Sequence, residues 1–329
     1  MRWLIVMPYA RPGAMGIDFA EELRALGHGV ETFAYRRDNV LYKNKPTKAA
    51  YQRALNRRLE RLCTDQRPDV VLVIKGGPIA PDVVRRMKTA TGALVVNIFP
   101  DNPLWMMPLE QIEPYDLFFT KERYALRQLE LVGLRNLYYL PMYCVPSLHH
   151  PVALGEEQAT ALRDTVALVG ARYPYRERLV RELADFPIRV WGPGWRRADA
   201  SLARHVGGGF LDGRAKLAVY CGATLSLNPH HPMNDVGGVN TRTFELAAAG
   251  ACQVVDLKEE LPHLFKPGEE VVAFRDLPEL RRQLSHYLAH PDEARAIGDN
   301  ARRRALAEHT TRHRIEEMLA AMRDRCGRR

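Results

Sequence analysis

Gly237 to Asp256 reads Gly-Gly-Val-Asn-Thr-Arg-Thr-Phe-Glu-Leu-Ala-Ala-Ala-Gly-Ala-Cys-Gln-Val-Val-Asp, and it concentrates residues able to do chemistry. Asn240 is a helix N-cap type, whose side-chain oxygen accepts from orphan backbone N–H groups. Thr243 to Ala249 predicts a short helix, closed by Gly250 where a left-handed residue is favoured. The N-terminus of such a helix attracts anions through free N–H groups and the positive end of its dipole. Arg242 is a clamp for a phosphate. Glu245, in the second turn, can accept two hydroxyl hydrogen bonds from a ribose, although the dipole alone also favours a glutamate there. A second run, Gly170-Ala171-Arg172, ends a predicted strand ahead of a helix beginning near Arg176. Glycine lets a phosphate approach the backbone, and arginine can hold it with two parallel N–H bonds.

Other residues are weighed against plainer readings. Asp18 opens the first helix, as a cap or as a general base. Asp101, in Phe99-Pro100-Asp101-Asn102-Pro103, is a turn former or a group at a reacting centre. Asn228-Pro229-His230-His231-Pro232 is not read as a metal tract. Adjacent histidines leaving a strand point apart, and no carboxylate follows until Asp235. No metal ligand set is assigned and no cofactor is expected. The first strand–helix loop lacks G-x-G-x-x-G, the second strand ends without an acidic residue, and no G-x-x-x-x-G-K-[ST] or H-E-x-x-H occurs.

The elements that must carry these residues alternate short apolar strands with amphipathic helices, twice over. The first half has strands at Trp3–Met7, Val30–Tyr35, Asp69–Ile74, Ala93–Phe99, Asp116–Thr120 and Asn136–Leu140. The second has them at Thr165–Val169, Ile188–Trp191, Thr224–Asn228, Ala251–Val255 and Glu270–Phe274. Such alternation predicts parallel, doubly wound sheets, whose ligands bind beyond the carboxyl ends of the strands. The loops at Gly192–Trp195 and Asn228–Asn240 then belong to the same rim as Gly170. Pro141 to Pro151 is the expected linker, giving domains at 1–150 and 151–310. The expected fold class is α/β, two Rossmann-like domains facing across a cleft.

The chain has 329 residues, 46% hydrophobic and 26% charged, as in soluble globular proteins. No apolar run approaches the roughly 18 residues of a membrane span. Five scattered cysteines without a C-x-x-C pair fit a reducing cytoplasm. The net charge of +9 suits phosphate-bearing ligands, an anionic membrane surface or nucleic acid. Its arginines are spread over helices, with pairs such as Arg36-Arg37, and read mainly as solvated faces.

Five segments of the second half, taken together, resemble the C-terminal domain of glycosyltransferases with the GT-B fold, closest to the CgeB-like (spore maturation protein) family. They are Val169 to Arg172; Trp191 to Trp195; Leu227-Asn228 with Asn240 to Gly250; Leu264 to Glu270; and Tyr287 to Pro291 through His309-Thr310. The resemblance implies a metal-independent hexosyltransferase using a nucleoside-diphosphate-sugar donor, with the acceptor open among glycan, lipid, protein and small molecule. It implies donor contacts from Gly170, Arg172, Gly192, Trp195, Asn228, Asn240, Arg242, Thr243 and Glu245. Asp18 and Asp101 become the candidates for the catalytic base, and a C-terminal helix, 311–329, is expected to pack on the first domain. Many retaining relatives carry a second glutamate ahead of this one, in a Glu-x7-Glu pattern; the matching position here is Gly237. Two alternatives stay open: a non-catalytic nucleotide- or sugar-binding protein of the same fold, and a glycosyltransferase acting on nucleic acid. The second is ranked last, because the basic charge lacks an aromatic-laced patch. Localisation is expected to be cytoplasmic, with a peripheral contact to the inner membrane left open.

Overall fold

The computed structural model describes residues 1–36 and 45–327, so Arg37 of the Arg36-Arg37 pair lies outside the described residues. The chain divides into two compact units. The first comprises Met1–Pro141, Met233–Val236 and Thr311–Arg329; the second comprises Met142–Pro232 and Gly237–Thr310.

The first unit is built on a six-stranded sheet of β1 (Arg2–Met7), β2 (Gly29–Ala34), β3 (Val70–Ile74), β4 (Leu94–Phe99), β5 (Leu117–Thr120) and β6 (Leu137–Tyr139), in the order β2-β1-β3-β4-β5-β6. All neighbours run parallel, with Trp3 opposite Val70 and Val6 opposite Val73. Helices cover both faces, which is why β3, Val-Val-Leu-Val-Ile, is buried along its whole length and shows no polar alternation. Leu4, Val6, Leu59, Val71, Val95 and Phe118 are among the core side chains. The last helix, Thr311–Gly327, packs on the first, Met15–Ala25, burying Ile315, Met318 and Met322, and Arg312 Nε donates to Glu22 Oε1 at 2.8 Å.

A buried ionic group also belongs to this unit. Lys121 Nζ lies 2.6 Å from Asp235 Oδ1 and 2.9 Å from Glu122 Oε1, with the three side chains at most 4% exposed. Burial disfavours the Lys121 charge, but Asp235 and Glu122 outweigh it and hold the ammonium's pKa above its ordinary value. Asn102 Nδ2 donates to the Met233 carbonyl at 3.0 Å, fixing the same segment.

The second unit repeats the plan with β7 (Val166–Val169), β8 (Ile188–Trp191), β9 (Val206–Gly208), β10 (Leu225–Asn228), β11 (Gln253–Asp256) and β12 (Val272–Phe274), in the order β12-β11-β10-β7-β8-β9, all parallel. The sequence reading lacks β9, whose Val-Gly-Gly offers almost no apolar pattern. The order reverses at β7, which feeds β8 and β9 on one side while β10 returns on the other. The carboxyl ends of β7 and β10 therefore flank a topological switch point, where open sheets of this kind take their ligands. Among the described residues, no helix is long and apolar enough to cross a membrane.

Candidate functional site

Asn228 ends β10 and is wholly buried, so each of its polar atoms must find a partner inside the protein. Its Nδ2 donates to Thr243 Oγ1 at 3.1 Å and to Gln253 Oε1 at 3.2 Å. Its Oδ1 accepts from Asn240 Nδ2 and from Arg242 Nη1, each at 3.1 Å. Asn240 caps the Thr241–Ala248 helix: its Oδ1 accepts the Thr243 amide at 3.1 Å, as the local sequence implies. Gly250 follows with φ of 75°, supplying the left-handed residue that ends the helix.

Gly170 lies opposite, at the end of β7. A Cβ built on it meets Arg176 Nη1 at 2.8 Å and Arg242 Nη2 at 2.9 Å. Two guanidinium groups thus rest over a bare Cα. Arg176 is buried, donating to the Ala171 carbonyl and to the Pro229 carbonyl at 3.1 Å each. The Gly170 carbonyl is held from its other side: Trp195 Nε1 donates to it at 2.8 Å. Gly192 passes so close, with φ of 140°, that a Cβ there would stand 2.2 Å from the same oxygen.

Glu245 lies one turn beyond Arg242. Its Oε2 accepts from Lys216 Nζ at 2.9 Å, and His149 Nε2 stands 3.8 Å from Oε1. Burial alone would raise the carboxyl's pKa, but Lys216, with His149 and Arg242 behind it, holds it below the ordinary value. His149 is shifted down by burial, which outweighs the attraction of Glu245. Its Nδ1 accepts from the Val145 amide at 3.0 Å, which leaves the neutral ring's proton on Nε2, facing Glu245.

The structure therefore brings Gly170, Asn228, Asn240, Arg242 and Thr243 into one cluster, with Gly192 and Trp195 behind Gly170. Arg172 turns away to a close pair with Glu177, and its side chain is 32% exposed. Asp18 and Asp101 belong to the first unit, on the loops or helix starts after β1 and β4. Asp18 is buried, and Asp101 pairs with Lys75 and accepts from Asn234 Nδ2 at 3.4 Å. The two adjacent histidines take different partners: His230 Nδ1 meets Asp256 Oδ1 at 2.8 Å, while His231 meets Tyr173 and Tyr175 edge-on. Lys216, His149 and Arg176 join the site without being assigned to it by sequence. Arg176 had a local signal, since it falls in the first turn of the helix that follows the glycine loop. Lys216 and His149 had none, because only tertiary folding sets them beside Glu245.

Chemically the rim offers two guanidinium groups and a capped helix N-terminus for an anion, and an ionised carboxylate for hydroxyl groups.

Residues 172–320 match a family model described as glycosyl transferase-like. No curated protein matches the sequence detectably. Among solved structures, sucrose-phosphate synthase from Thermosynechococcus elongatus aligns over 100% of this chain and 100% of its own, at 15% identity and a TM-score of 0.73. A glycosyltransferase from Rickettsia africae ESF-5 covers 99% of this chain and 98% of its own, at 11% identity and a TM-score of 0.72. Anabaena HepE in complex with UDP and glucose covers 98% of this chain and 100% of its own, at 14% identity and a TM-score of 0.67.

Proposed function

We propose that this chain, which has the GT-B glycosyltransferase fold and is glycosyl transferase-like over residues 172–320, moves a hexosyl group from a nucleoside-diphosphate-sugar to an acceptor hydroxyl. The observation that carries the reading is the pair of guanidinium groups, Arg176 and Arg242, over the bare Cα of Gly170 beside the Asn240-capped helix. A diphosphate leaving group gains charge as the glycosidic bond breaks, and fixed cations and amide dipoles stabilise that charge without reorganising. In this reading Glu245 accepts from the ribose, and Arg172 meets the diphosphate only by leaving Glu177. The five segments that resemble the CgeB-like family support that subfamily as the proposed assignment. HepE is recorded with UDP and glucose, which makes a uridine donor the first to test.

For the acceptor side, Asp18 and Asp101 are the proposed bases. Replacing either by asparagine is expected to lower turnover by about 10²–10⁴-fold if it takes the acceptor proton. The chemistry is proposed to need no divalent ion, so turnover should persist in chelator. The acceptor is proposed as a glycan, lipid, protein or small molecule, with a lipid acceptor bringing the basic protein to an anionic membrane surface.

The test is calorimetric titration of UDP and UDP-sugars into wild type and Arg242→Met, beside an assay for released nucleoside diphosphate. The expected result is binding that weakens in the variant, and release that depends on acceptor. Binding without release would reduce the protein to a nucleotide-binding relative. Absence of binding to any nucleoside diphosphate would remove the donor-site reading altogether.

A further inference from the structure

We propose that His286, His290 and Glu293 form a binding site for a zinc-class divalent cation at a helix–helix joint of the second unit. Among the described residues, these three offer one ligand atom each, all within 4.8 Å of one another. The Leu277–Ala289 helix ends one turn after His286, and His290 is both its C-cap and the N-cap of the Pro291–Glu308 helix. The turn thus places an i, i+4 histidine pair against a carboxylate from the next helix's first turn. The two imidazoles stack at 4.4 Å with planes 24° apart.

The hydrogen bonds prepare the donors. His290 Nδ1 meets the His286 carbonyl at 2.8 Å. A carbonyl only accepts, so Nδ1 carries the proton and Nε2 keeps its lone pair. An imidazole oriented through its second nitrogen in this way is the usual arrangement around a metal-binding histidine. His286 Nε2 lies 2.9 Å from Glu293 Oε2. A cation between them would take both atoms as ligands, with the imidazole's proton carried on Nδ1. Two imidazoles and one carboxylate suit zinc and its neighbours rather than magnesium or calcium. Tetrahedral zinc needs ligand atoms about 3.3 Å apart. All three side chains are exposed and can make the adjustment by rotation.

This site is separate from the donor rim. The Leu277–Ala289 helix follows β12 and runs back antiparallel to it, so its C-terminal end lies at the amino edge of the sheet. Gly170, Asn228 and Asn240 lie at the carboxyl edge. The cation would staple two helices and take no part in sugar transfer, so the inference stands whether or not the proposed reaction does.

The test uses the full chain, stripped with chelator and titrated with zinc chloride by calorimetry, with cobalt(II) absorption as a second probe. Expected are one bound ion, a raised melting temperature and visible cobalt bands. His290→Ala and Glu293→Gln should each lower zinc affinity by more than the roughly 10–100-fold typical of losing an outer partner of a ligand. These exposed positions leave the fold intact, which the metal-free melting temperature checks. No binding in wild type, or equal binding in the variants, would overturn the assignment.

Discussion

On the proposed reading Glu245 both pairs with Lys216 and accepts from the ribose, and two substitutions separate these roles. Glu245→Gln keeps the shape and loses the charge, and a charge-assisted bond is worth roughly 1.5–3 kcal/mol. Nucleotide affinity should therefore fall by about ten- to a hundredfold. The same change leaves Lys216, whose side chain is 22% exposed, without its carboxylate. The melting temperature of the free protein should drop as well, and Lys216→Met in the same background should recover part of that drop. Calorimetry and melting curves on the three proteins decide it. Asn228→Ala is a structural substitution by contrast. It removes the donor to the buried Gln253 Oε1 and the acceptor of Asn240 Nδ2 and Arg242 Nη1, and an expected loss of about 1–3 kcal/mol is measurable by urea unfolding. At this scale the sequence was legible where a motif is local. Asn240 announces its cap and Gly250 its left-handed turn. It was silent on Lys216 and His149, because a partner far along the chain leaves no spacing to read. Nor did it show that Arg172 pairs with Glu177 while Arg176 takes the buried place beside Gly170.

The elements set how rigid the rim is. Gly192→Ala would drive a methyl group into the Gly170 carbonyl, at a backbone angle that alanine avoids. The expected outcome is displacement of the loop after β7, with lower stability by more than about 1 kcal/mol and weaker nucleotide binding, read by urea midpoints and titration. His149 gives the same region a dependence on pH. Its pKa is lowered by burial, so below pH about 6.5 the unfolded chain takes up a proton that the folded chain refuses. Stability should fall as pH drops from there towards the native value. His149→Asn should flatten that fall, measured as urea midpoints between pH of about 7.5 and 5.5. Glu245 acts in a lower window: its lowered carboxyl contributes above roughly 4.3, and the contribution is lost as pH falls through the native value. Elements were the most readable level of the sequence. Short runs rich in β-branched residues, such as Val70–Ile74, favour strands buried on both faces, as this one is. Val206–Gly208 escaped because two glycines carry no pattern, and the strand is held by its register beside β8.

For the molecule as a whole, doubly wound sheets followed from alternation, but the path of the chain between units did not. Asp235 looks in the sequence like an ordinary loop residue between a strand and a helix. Only folding shows it buried against Lys121 in the first unit. Lys121→Ala would remove the buried ammonium that lies between Glu122 and Asp235, and breaking a buried ion pair typically costs about 3–5 kcal/mol. The expected result is a first unit that unfolds at markedly lower urea, while a second substitution, Asp235→Asn, recovers part of the loss. The last helix carries a different consequence. Because Thr311–Gly327 packs on Met15–Ala25, the unit whose synthesis begins first is among the last to be completed. A ribosome at about 5–20 residues per second will have made all of the second unit before the first can close its hydrophobic surface. Until then the helix that faces the missing one stays open to chaperones, and a premature stop late in the chain damages the beginning of the protein rather than its end.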